Sequence, residues 1–422
     1  MYDELIAYCN QNKKVYCFGA GVYGRIIRAY LDDLGISIEG FVVSSMQANE
    51  KKVLDLPVIS LDEMIQFYKN EVGVIICAGL VFRCEMKEHL KKNNISNIFE
   101  ISDEVINEIR RKWNFKHQYT ITNNITVFCY HRVTNIPLDT WKLAVSPELF
   151  EEQIRYIKTH YKVIRSEEDF KADGEGRLAV ITFDDGYSDS YTEALPILEK
   201  YQIPATVFVC MGNIDSEREF WWDYLEKLFF MSDIKDTMFE FGEKKLFLTS
   251  EKQRINACYY VHSELKKMTS IQRSRAFSDL ENIFHVTTNR DYCRSLSKVQ
   301  LRELSKSPLI TIGGHTINHP SLARENMDTQ EYEIRESKTQ IEDIIGKSIS
   351  VFSYPFGQKT DFDDTTIEIA HKCGYQRVYA AFSGYTKREY IDGYIPRINI
   401  GQEKNMKQTV RRLRLCDILY GD

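Results

Sequence analysis

The sequence lacks the features that mark several classes of protein. No apolar run is long enough to span a membrane, and no segment is low in complexity. The first residues, Met1 to Leu5, carry two acids and no basic region ahead of an apolar stretch, so we do not expect a secretory signal there. The ten cysteines include no Cys-x-x-Cys pair, which favours reduced thiols over a disulfide framework and predicts a cytoplasmic protein.

An excess of positive charge is missing as well. The 55 lysines and arginines are outnumbered by 61 aspartates and glutamates, and the net charge of -6 argues against a nucleic-acid partner. A short basic run, Arg411 to Arg414, is expected to be a solvated helix face. With 422 residues, 43% of them hydrophobic, the chain is long enough for two folded domains.

The first hundred residues alternate short apolar strands with helical patterns. An apolar strand over 14–18 leads into Gly19-x-Gly21-x-x-Gly24 and then a helix, the order of a Rossmann-like unit. Gly19, Gly21 and Gly24 are candidate phosphate-binding residues, because glycine lets an anion approach the backbone at a helix N-terminus. We predict a small Rossmann-like parallel-sheet domain over 1–103, followed by a polar, basic linker over 104–124.

The ligand of this first domain is left open by the sequence. An NAD site would need an acidic residue near the end of the second strand, but that strand ends Val42-Val43-Ser44-Ser45, so a nicotinamide-dependent oxidoreductase ranks last. The domain looks like the small modules attached to sugar-modifying enzymes, some of which bind nucleotide sugars, and a nucleotide sugar is therefore a candidate partner. A structural domain without a ligand, or one that mediates dimerisation, is the alternative.

A second domain, predicted over 125–422, has a different organisation. Strands recur with helices between them from Ile125 onward, which favours a (β/α) barrel. The stretch 212–306 departs from this pattern and reads as a mostly helical insertion over the barrel mouth. It contains Phe220-Trp221-Trp222, where Trp222 is a candidate for stacking on a sugar ring, although core packing of the insertion explains the aromatic residues equally well.

Two motifs in this domain carry chemistry. Asp184 and Asp185 follow the apolar strand 178–183, and neighbouring residues on a strand point to opposite faces, so the two acids can play different parts. His315 and His319 are four residues apart, a spacing that one helical turn would place on the same side. Two imidazoles and one carboxylate leave a fourth position open for water, the arrangement of a catalytic zinc site.

Together with Tyr354-Pro355-Phe356-Gly357, which follows a later strand, these motifs resemble the polysaccharide deacetylase (NodB-homology) family, which is similar to carbohydrate esterase family 4. The resemblance implies a distorted (β/α) barrel and a divalent metal, most simply zinc. It implies that Asp185, His315 and His319 hold this metal and that the substrate is a carbohydrate with an N-acetylated amino sugar.

The resemblance also assigns catalytic roles. Asp184 would be the general base, since a carboxylate that is not bound to the metal keeps its basicity. The family's late Leu-x-His motif, which supplies the general acid, is replaced here by the sequence 394–400. Some members appear permuted, with the histidine on the first strand, and His131 matches that variant. The family's usual arginine is absent before Tyr354, and Arg397 is the candidate substitute for orienting the base.

The oxyanion formed during amide hydrolysis needs a hydrogen-bond donor. A backbone N–H beside the Tyr354-Pro355 turn could serve, which makes Tyr354 and Pro355 candidate substrate contacts. We therefore predict an enzyme that removes N-acetyl groups from amino sugars in a glycan precursor. A deformylase or other amide hydrolase on the same metal site, or a carbohydrate-binding barrel without turnover, are the alternatives.

Overall fold

The computed structural model describes residues 2–46, 50–68, 72–116, 119, 124–168, 170, 176–232, 234, 238–286, 290–387 and 393–421. Two compact units are present: unit 1 comprises 1–124 together with 407–422, and unit 2 comprises 125–406. None of the helices within the described ranges combines the length and apolar character needed to cross a bilayer.

Unit 1 is an α/β unit whose sheet is mostly parallel. Its described strands are β1 (Val15–Phe18), β2 (Gly40–Val43), β3 (Lys52–Val53), β4 (Leu56–Ser60), β5 (Gly73–Ile76) and β6 (Ile98–Glu100). The helices before residue 124 are α1 (Tyr2–Gln11), α2 (Val22–Asp33), α3 (Leu61–Tyr68), α4 (Leu80–Lys92) and α5 (Asp103–Lys112). The strand order is β3-β4-β2-β1-β5-β6, and only β3 runs antiparallel to its neighbour. Strands β1, β2 and β5 are buried along their whole length, as expected for apolar strands covered on both faces.

The region predicted as a linker is partly helical. Helix α5 occupies most of its first half, begins after the N-cap Ser102 and buries Val105, Ile106 and Ile109 in the core of unit 1. The apolar spacing of these three residues is helical and explains why the segment folds. Residues 117, 118 and 120–123 of the predicted linker lie outside the described residues.

Unit 2 contains a larger, curled parallel sheet. Its strands are β7 (Asn124–Tyr130), β8 (Arg132–Val133), β9 (Ala144–Val145), β10 (Lys162–Val163), β11 (Leu178–Phe183), β12 (Ala205–Val209), β13 (Met238–Phe241), β14 (Lys244–Phe247), β15 (Ile310–Gly314), β16 (Val351–Ser353), β17 (Arg377–Tyr379), β18 (Thr386–Lys387) and β19 (Ile398–Asn399). Its helices are α6 (Pro147–His160), α7 (Leu195–Tyr201), α8 (Trp221–Met231), α9 (Glu251–Lys266), α10 (Ser270–Ile283), α11 (Lys298–Leu304), α12 (Met327–Ile345) and α13 (Asp364–Lys372).

The large sheet has the order β17-β16-β15-β12-β11-β7-β18, with β10 paired to β11 and β19 to β7. The segment that contains β19 joins distant parts of this sheet, because Ile395 pairs with Tyr379, the last residue of β17, while Ile398 pairs with Phe128 of β7. The predicted α/β class with a distorted barrel is thus confirmed. Since the paired strands from β7 to β17 are parallel, their carboxyl ends meet at one edge, where (β/α) barrels place active sites.

The stretch predicted as a mostly helical insertion contains helices α8 to α11, but it also contains the antiparallel hairpin β13–β14, which the sequence analysis missed. Helices α8, α9 and α10 enclose an apolar cluster of their own. Buried ion pairs hold the insertion together, because the Arg290 guanidinium lies 2.6 Å from Glu219 and 2.7 Å from Glu226.

The C-terminal helix α14 (Met406–Tyr420) differs from its predicted placement in the second domain. Residues 407–422 belong to unit 1, and Ile418 and Leu419 lie in its hydrophobic core. The basic run in this helix is not simply solvated. Arg411 donates hydrogen bonds to the carbonyls of Trp113 and Arg110, and Arg414 donates to that of Phe115, so these side chains cap the end of helix α5 and the residues after it.

Candidate active site

The three predicted metal ligands converge at the carboxyl edge of the barrel. Asp185 follows β11, His315 follows β15, and His319 lies four residues further along the same loop. The Nε2 atoms of His315 and His319 are 3.4 and 3.5 Å from the same Oδ1 of Asp185. All three side chains are buried, and their potential ligand atoms lie within 4.8 Å of one another.

The environment of the two imidazoles suits a cation. The Nδ1 atom of His315 lies 2.7 Å from the Ser353 carbonyl, so Nδ1 carries the proton and Nε2 presents its lone pair toward Asp185. Burial lowers the pKa of His319 well below its ordinary value, which keeps that ring neutral. Burial also lowers the pKa of His315, yet the charges of Asp184 and Asp185 raise it overall. This negative environment favours a bound cation.

The two histidines are not placed by a helical turn, and that part of the prediction is wrong. Residues 315–320 form a loop, in which Thr316 and His319 adopt positive φ angles of 65° and 50°. Asp185, on the opposing loop, has a φ of 72°. Left-handed backbone at non-glycine residues is strained and persists only where surrounding contacts enforce it.

Two charged side chains hold the backbone of this loop in its conformation. Glu333 on α12 accepts hydrogen bonds from the N–H groups of Ile317 and Asn318 at 2.8 and 2.9 Å. From the insertion, Arg273 on α10 donates to the carbonyls of Asn318 and His319 at 2.7 and 3.4 Å. Both side chains are buried, so the peptides between Ile317 and His319 are held between a carboxylate and a guanidinium.

The predicted general base and its arginine lie together beside the metal ligands. Arg397 is fully buried and bonds Asp184 with two nitrogens, NH1 to Oδ1 at 2.7 Å and NH2 to Oδ2 at 2.6 Å. Thr182 and Ser353 accept further hydrogen bonds from the same guanidinium. Burial by itself raises the pKa of the Asp184 carboxyl, but the charge of Arg397 outweighs it and holds that pKa below its ordinary value. Asp184 is therefore ionised at neutral pH.

A second group of potential ligands contains His131, Cys129 and Asp184. The donor chemistry of this group does not suit a metal. Asp184 already bonds two nitrogens of Arg397, and burial raises the pKa of the Cys129 thiol far above neutrality, so Cys129 offers no thiolate. The set of Asp185, His315 and His319 fits instead, with one carboxylate and two imidazoles as in catalytic zinc sites. His131, directly after β7, lines the same cavity as this set.

One cavity of about 220 Å³ connects these groups. Its polar lining comprises the predicted catalytic and metal-binding residues other than Arg397, which lies behind Asp184. The rest of its wall is mainly aromatic and comprises Trp141, Leu143, Trp222, His262, Phe356 and Ala381. A buried base, a histidine and a set of metal ligands therefore face one small, partly apolar chamber.

Comparison with known proteins agrees with the family that the sequence motifs resemble. The family model of polysaccharide deacetylases matches residues 171–378. The chain carries a polysaccharide deacetylase domain. A poly-beta-1,6-N-acetyl-D-glucosamine N-deacetylase of Staphylococcus aureus (strain N315) is 33% identical over 103 residues, 23% of this chain and 36% of that protein. YxkH of Bacillus subtilis (strain 168), provisionally named a polysaccharide deacetylase, is 22% identical over 213 residues, 50% of this chain and 48% of that protein.

The chain thus spans less than half the length of these two relatives. Among solved structures, IcaB from Ammonifex degensii is 17% identical, with a TM-score of 0.46, and the match covers 69% of this chain and 97% of that chain. The Streptococcus pyogenes deacetylase PplD, solved in complex with acetate, is 21% identical with a TM-score of 0.44, and the match covers 68% and 96% of the two chains.

The predicted substrate contacts of the deacetylase domain need correction at Tyr354 and Pro355. The Tyr354 ring is fully buried against Phe362, and the backbone N–H of Tyr354 donates to the Tyr379 carbonyl at 3.0 Å. Pro355 has no N–H to offer. The next residue, Phe356, lines the cavity, and within the described ranges its N–H has no hydrogen-bond acceptor. The Phe356 N–H is therefore the candidate oxyanion donor beside this turn, in place of Tyr354 or Pro355.

Trp222 lines the cavity as predicted for a substrate contact, but most of its surface is used for packing. The indole stacks on Phe220 at 4.9 Å, lies 4.5 Å from the His319 ring and donates its N–H to the Tyr187 hydroxyl at 2.8 Å. Trp222 therefore supports a predicted metal ligand and offers only the remaining part of its ring to the cavity.

Two of the three predicted phosphate-binding glycines, Gly19 and Gly21, line one cleft of unit 1, whereas Gly24 is buried and does not line it. Gly19 has a φ of +113°, which other residues rarely adopt, and a Cβ on Gly24 would stand 2.0 Å from the Gly19 carbonyl oxygen. Gly21 is different, because a Cβ there would meet no atom within 4 Å. Gly19 and Gly24 are thus required by the turn itself, whereas Gly21 faces open space.

Sequence reasoning missed several residues of the site. Glu333, Arg273 and Ser353 act on the backbone or side chains of predicted site residues, while Trp141 and His262 line the cavity. Sequence analysis could have found Glu333, because it lies next to Ile334 on the apolar side of a helix, where an acid is seldom unpaired. The positions of Arg273, Trp141 and His262 depend on how the insertion folds back, and no local pattern marks them.

Glu333→Gln is expected to weaken metal binding by about 10- to 100-fold, because the loop that carries both histidines loses a charged acceptor for its N–H groups. The dissociation constant for zinc, measured by competition with a chelator, tests this expectation. Glu331→Gln is the matched control, since it makes the same change on the exposed face of the same helix. Equal zinc affinities of the two variants would contradict a positioning role for Glu333.

Asp223 on α8 makes stability depend on pH. Its carboxylate is buried and accepts a hydrogen bond from Tyr187 at 2.7 Å, and burial raises its pKa to about 7 even though Arg132 lowers it. A raised pKa means that the folded state binds the proton more tightly than the unfolded state. The stabilisation is complete below about pH 4 and is lost as the pH rises through about 7.

Asp223→Asn should therefore lose less unfolding free energy than the wild type between about pH 5 and about pH 8. Urea denaturation at the two pH values measures the difference. Asp279→Asn, an exposed position on α10, should keep the wild-type slope. Identical pH slopes for the wild type and Asp223→Asn would rule out Asp223 as the source.

Proposed function

We propose that this chain is a metal-dependent hydrolase that removes N-acetyl groups from amino sugars of a polysaccharide or glycan precursor. One observation carries the proposal: Asp185, His315 and His319 converge within 4.8 Å of one another, in the same cavity as the arginine-bound Asp184, inside a polysaccharide deacetylase domain. An inactive carbohydrate-binding barrel would have no need for a buried, ionised carboxylate beside an intact set of metal ligands.

The metal-dependent chemistry of the family fits the donor set. Asp185, His315 and His319 would hold a divalent ion, and one carboxylate with two imidazoles favours zinc. When bound, such an ion acts as a Lewis acid that activates water and polarises a carbonyl group.

The residues of the chain divide the remaining work. The ionised Asp184 accepts the proton of the attacking water, and Arg397 fixes the orientation of its carboxylate. The Phe356 N–H donates a hydrogen bond to the developing oxyanion. His131, on the cavity wall, donates a proton to the leaving sugar nitrogen. The products are acetate and a free amine.

The test is acetate release by the zinc-loaded chain from N-acetylglucosamine oligomers and from the matched N-formyl sugars. Acetate release supports an N-deacetylase, and a strong preference for the N-formyl sugars would favour the deformylase alternative. Binding of the oligomers without release of acid from either series would favour a binding barrel.

The cleft of unit 1 supports a second proposal, that the N-terminal unit binds the phosphates of a nucleotide sugar. This cleft is about 450 Å³ in volume and lies where the chain leaves β1 for one side of the sheet and β5 for the other. Helices α2 and α4 begin there, with Gly21 and Gly79 as their N-cap residues. No side chain at either N-cap position accepts a hydrogen bond from the first turn of the helix. A Cβ on either glycine would meet no atom within 4 Å, so an anion can approach both N-termini.

Calorimetric titration of the full chain with a uridine-diphosphate amino sugar tests this second proposal. Gly21→Asp should abolish binding, because it places a negative charge at the helix N-terminus without a clash, and should leave acetate release intact. No heat of binding with the wild type would favour a structural or dimerising unit.

A further inference from the structure

His262 lies on helix α9 of the insertion, and its ring forms part of the wall of the catalytic cavity. Two indoles fix this ring. Its centroid is 4.5 Å from that of Trp141 and 5.0 Å from that of Trp221, with interplanar angles of 32° and 22°. Phe356 approaches it edge-on at 6.3 Å. The imidazole is thus held at a set orientation before any ligand arrives.

None of the described residues forms a hydrogen bond with either nitrogen of this imidazole. Burial lowers the pKa of His262 to about 4, and the nearby charges of Lys266 and Arg273 act in the same direction. The ring is neutral at physiological pH and offers one donor and one acceptor. The residue is only half-buried, so these nitrogens can bond to a ligand that enters the cavity. Leu or Phe would fill the space between the two indoles but would offer no hydrogen-bonding group.

We propose that His262, fixed between Trp141 and Trp221 and lacking a partner in the protein, binds a hydroxyl group of the sugar ring whose N-acetyl group is hydrolysed. This inference rests on the proposed function. A neutral imidazole suits a sugar hydroxyl, which can both donate and accept a hydrogen bond. The indole and phenyl surfaces of the same cavity suit the apolar C–H faces of the ring.

The size of the cavity restricts the substrate further. At about 220 Å³ it is smaller than the ~300–1,000 Å³ of pockets that enclose drug-sized ligands. It accommodates one sugar ring, with the N-acetyl group toward Asp185 and the opposite side toward His262. The insertion, through His262 held in place by Trp221, thus supplies recognition of a single amino sugar at the reacting position.

His262→Phe is the decisive variant, because it keeps an aromatic ring between the two indoles and removes both hydrogen-bonding nitrogens. We expect it to weaken binding of N-acetylglucosamine oligomers to the zinc-loaded chain about tenfold, the effect of one neutral hydrogen bond. Zinc content and the thermal midpoint should not change. His262→Gln, which retains a donor and an acceptor, should recover most of the affinity. His285→Ala, an exposed histidine of the same insertion, should bind as the wild type does.

A ligand without hydroxyls provides the second arm. N-cyclohexylacetamide presents the same amide on a six-membered ring, and His262→Phe should not weaken its binding. Equal sugar affinity of the wild type and His262→Phe, or an equal loss for both ligands, would overturn the inference. The experiment separates this inference from the proposed function. If the wild type and His262→Phe bind the sugar and release acetate equally well, only this inference is contradicted. If sugar binding depends on His262 but no acetate is released, only the hydrolytic activity is contradicted.

Discussion

Asp184→Asn is expected to retain zinc while losing at least about 10²-fold in kcat, whereas His315→Ala is expected to lose zinc and activity together. The two residues lie in one cavity but do different work. The Asp184 oxygens bond Arg397, so the side chain is not needed to hold the ion. The Nε2 atom of His315 faces Asp185, so its loss leaves only two ligands.

Zinc content after dialysis and acetate release, measured on the same preparations, test this pair. His371→Ala is a suitable control, because its ring bonds the Tyr375 carbonyl away from the cavity and should affect neither quantity. Loss of zinc in Asp184→Asn would indicate that Asp184 is a metal ligand. Full zinc occupancy in His315→Ala would contradict the assignment of His315 as a ligand.

The parts of the fold that sequence analysis predicted well are those fixed by local patterns. The boundaries of β11 coincide with the predicted strand 178–183, since this strand is a continuous apolar run that is buried on both faces. Because β11 ends at Phe183, the positions of Asp184 and Asp185 at the active edge followed directly. Such strand ends are the most informative feature of a parallel barrel.

The loop of the two histidines shows where local patterns fail. A four-residue spacing favours a helix, but the actual loop needs left-handed backbone at Thr316 and His319. Within the motif, the Thr316 hydroxyl accepts a hydrogen bond from the His319 N–H. The charged groups that hold the loop, Glu333 and Arg273, are 14 and 46 residues from His319 in the sequence. The prediction named side chains that do converge, but on the basis of the wrong local structure.

Longer-range placement was harder still. Helix α14 packs in unit 1 although, in the sequence, residues 125–406 separate it from the rest of that unit. Its apolar positions, such as Ile418 and Leu419, fit either unit equally well in pattern, so sequence periodicity could not choose between them. Arg397 could be proposed for Asp184 only by elimination, because 213 residues separate the two in the chain.

Arg397→Met is expected to destabilise the metal-free chain by about 3–5 kcal/mol, since it leaves the Asp184 carboxylate buried without its counter-ion. The same loss should raise the pKa of Asp184, because burial is then opposed by less positive charge. The double variant Arg397→Met with Asp184→Asn removes the charge that had been left unpaired. It should therefore be more stable than Arg397→Met alone, although it carries one more substitution.

Urea denaturation of the wild type, both single variants and the double variant in the presence of a chelator measures this coupling. The coupling free energy should be at least about 1 kcal/mol. If the two substitutions were simply additive, the bidentate contact would not be what keeps Asp184 ionised in the barrel. A rescued double variant that still releases no acetate would separate the two roles of the pair: Arg397 makes a buried carboxylate tolerable, and Asp184 uses that charge as the base.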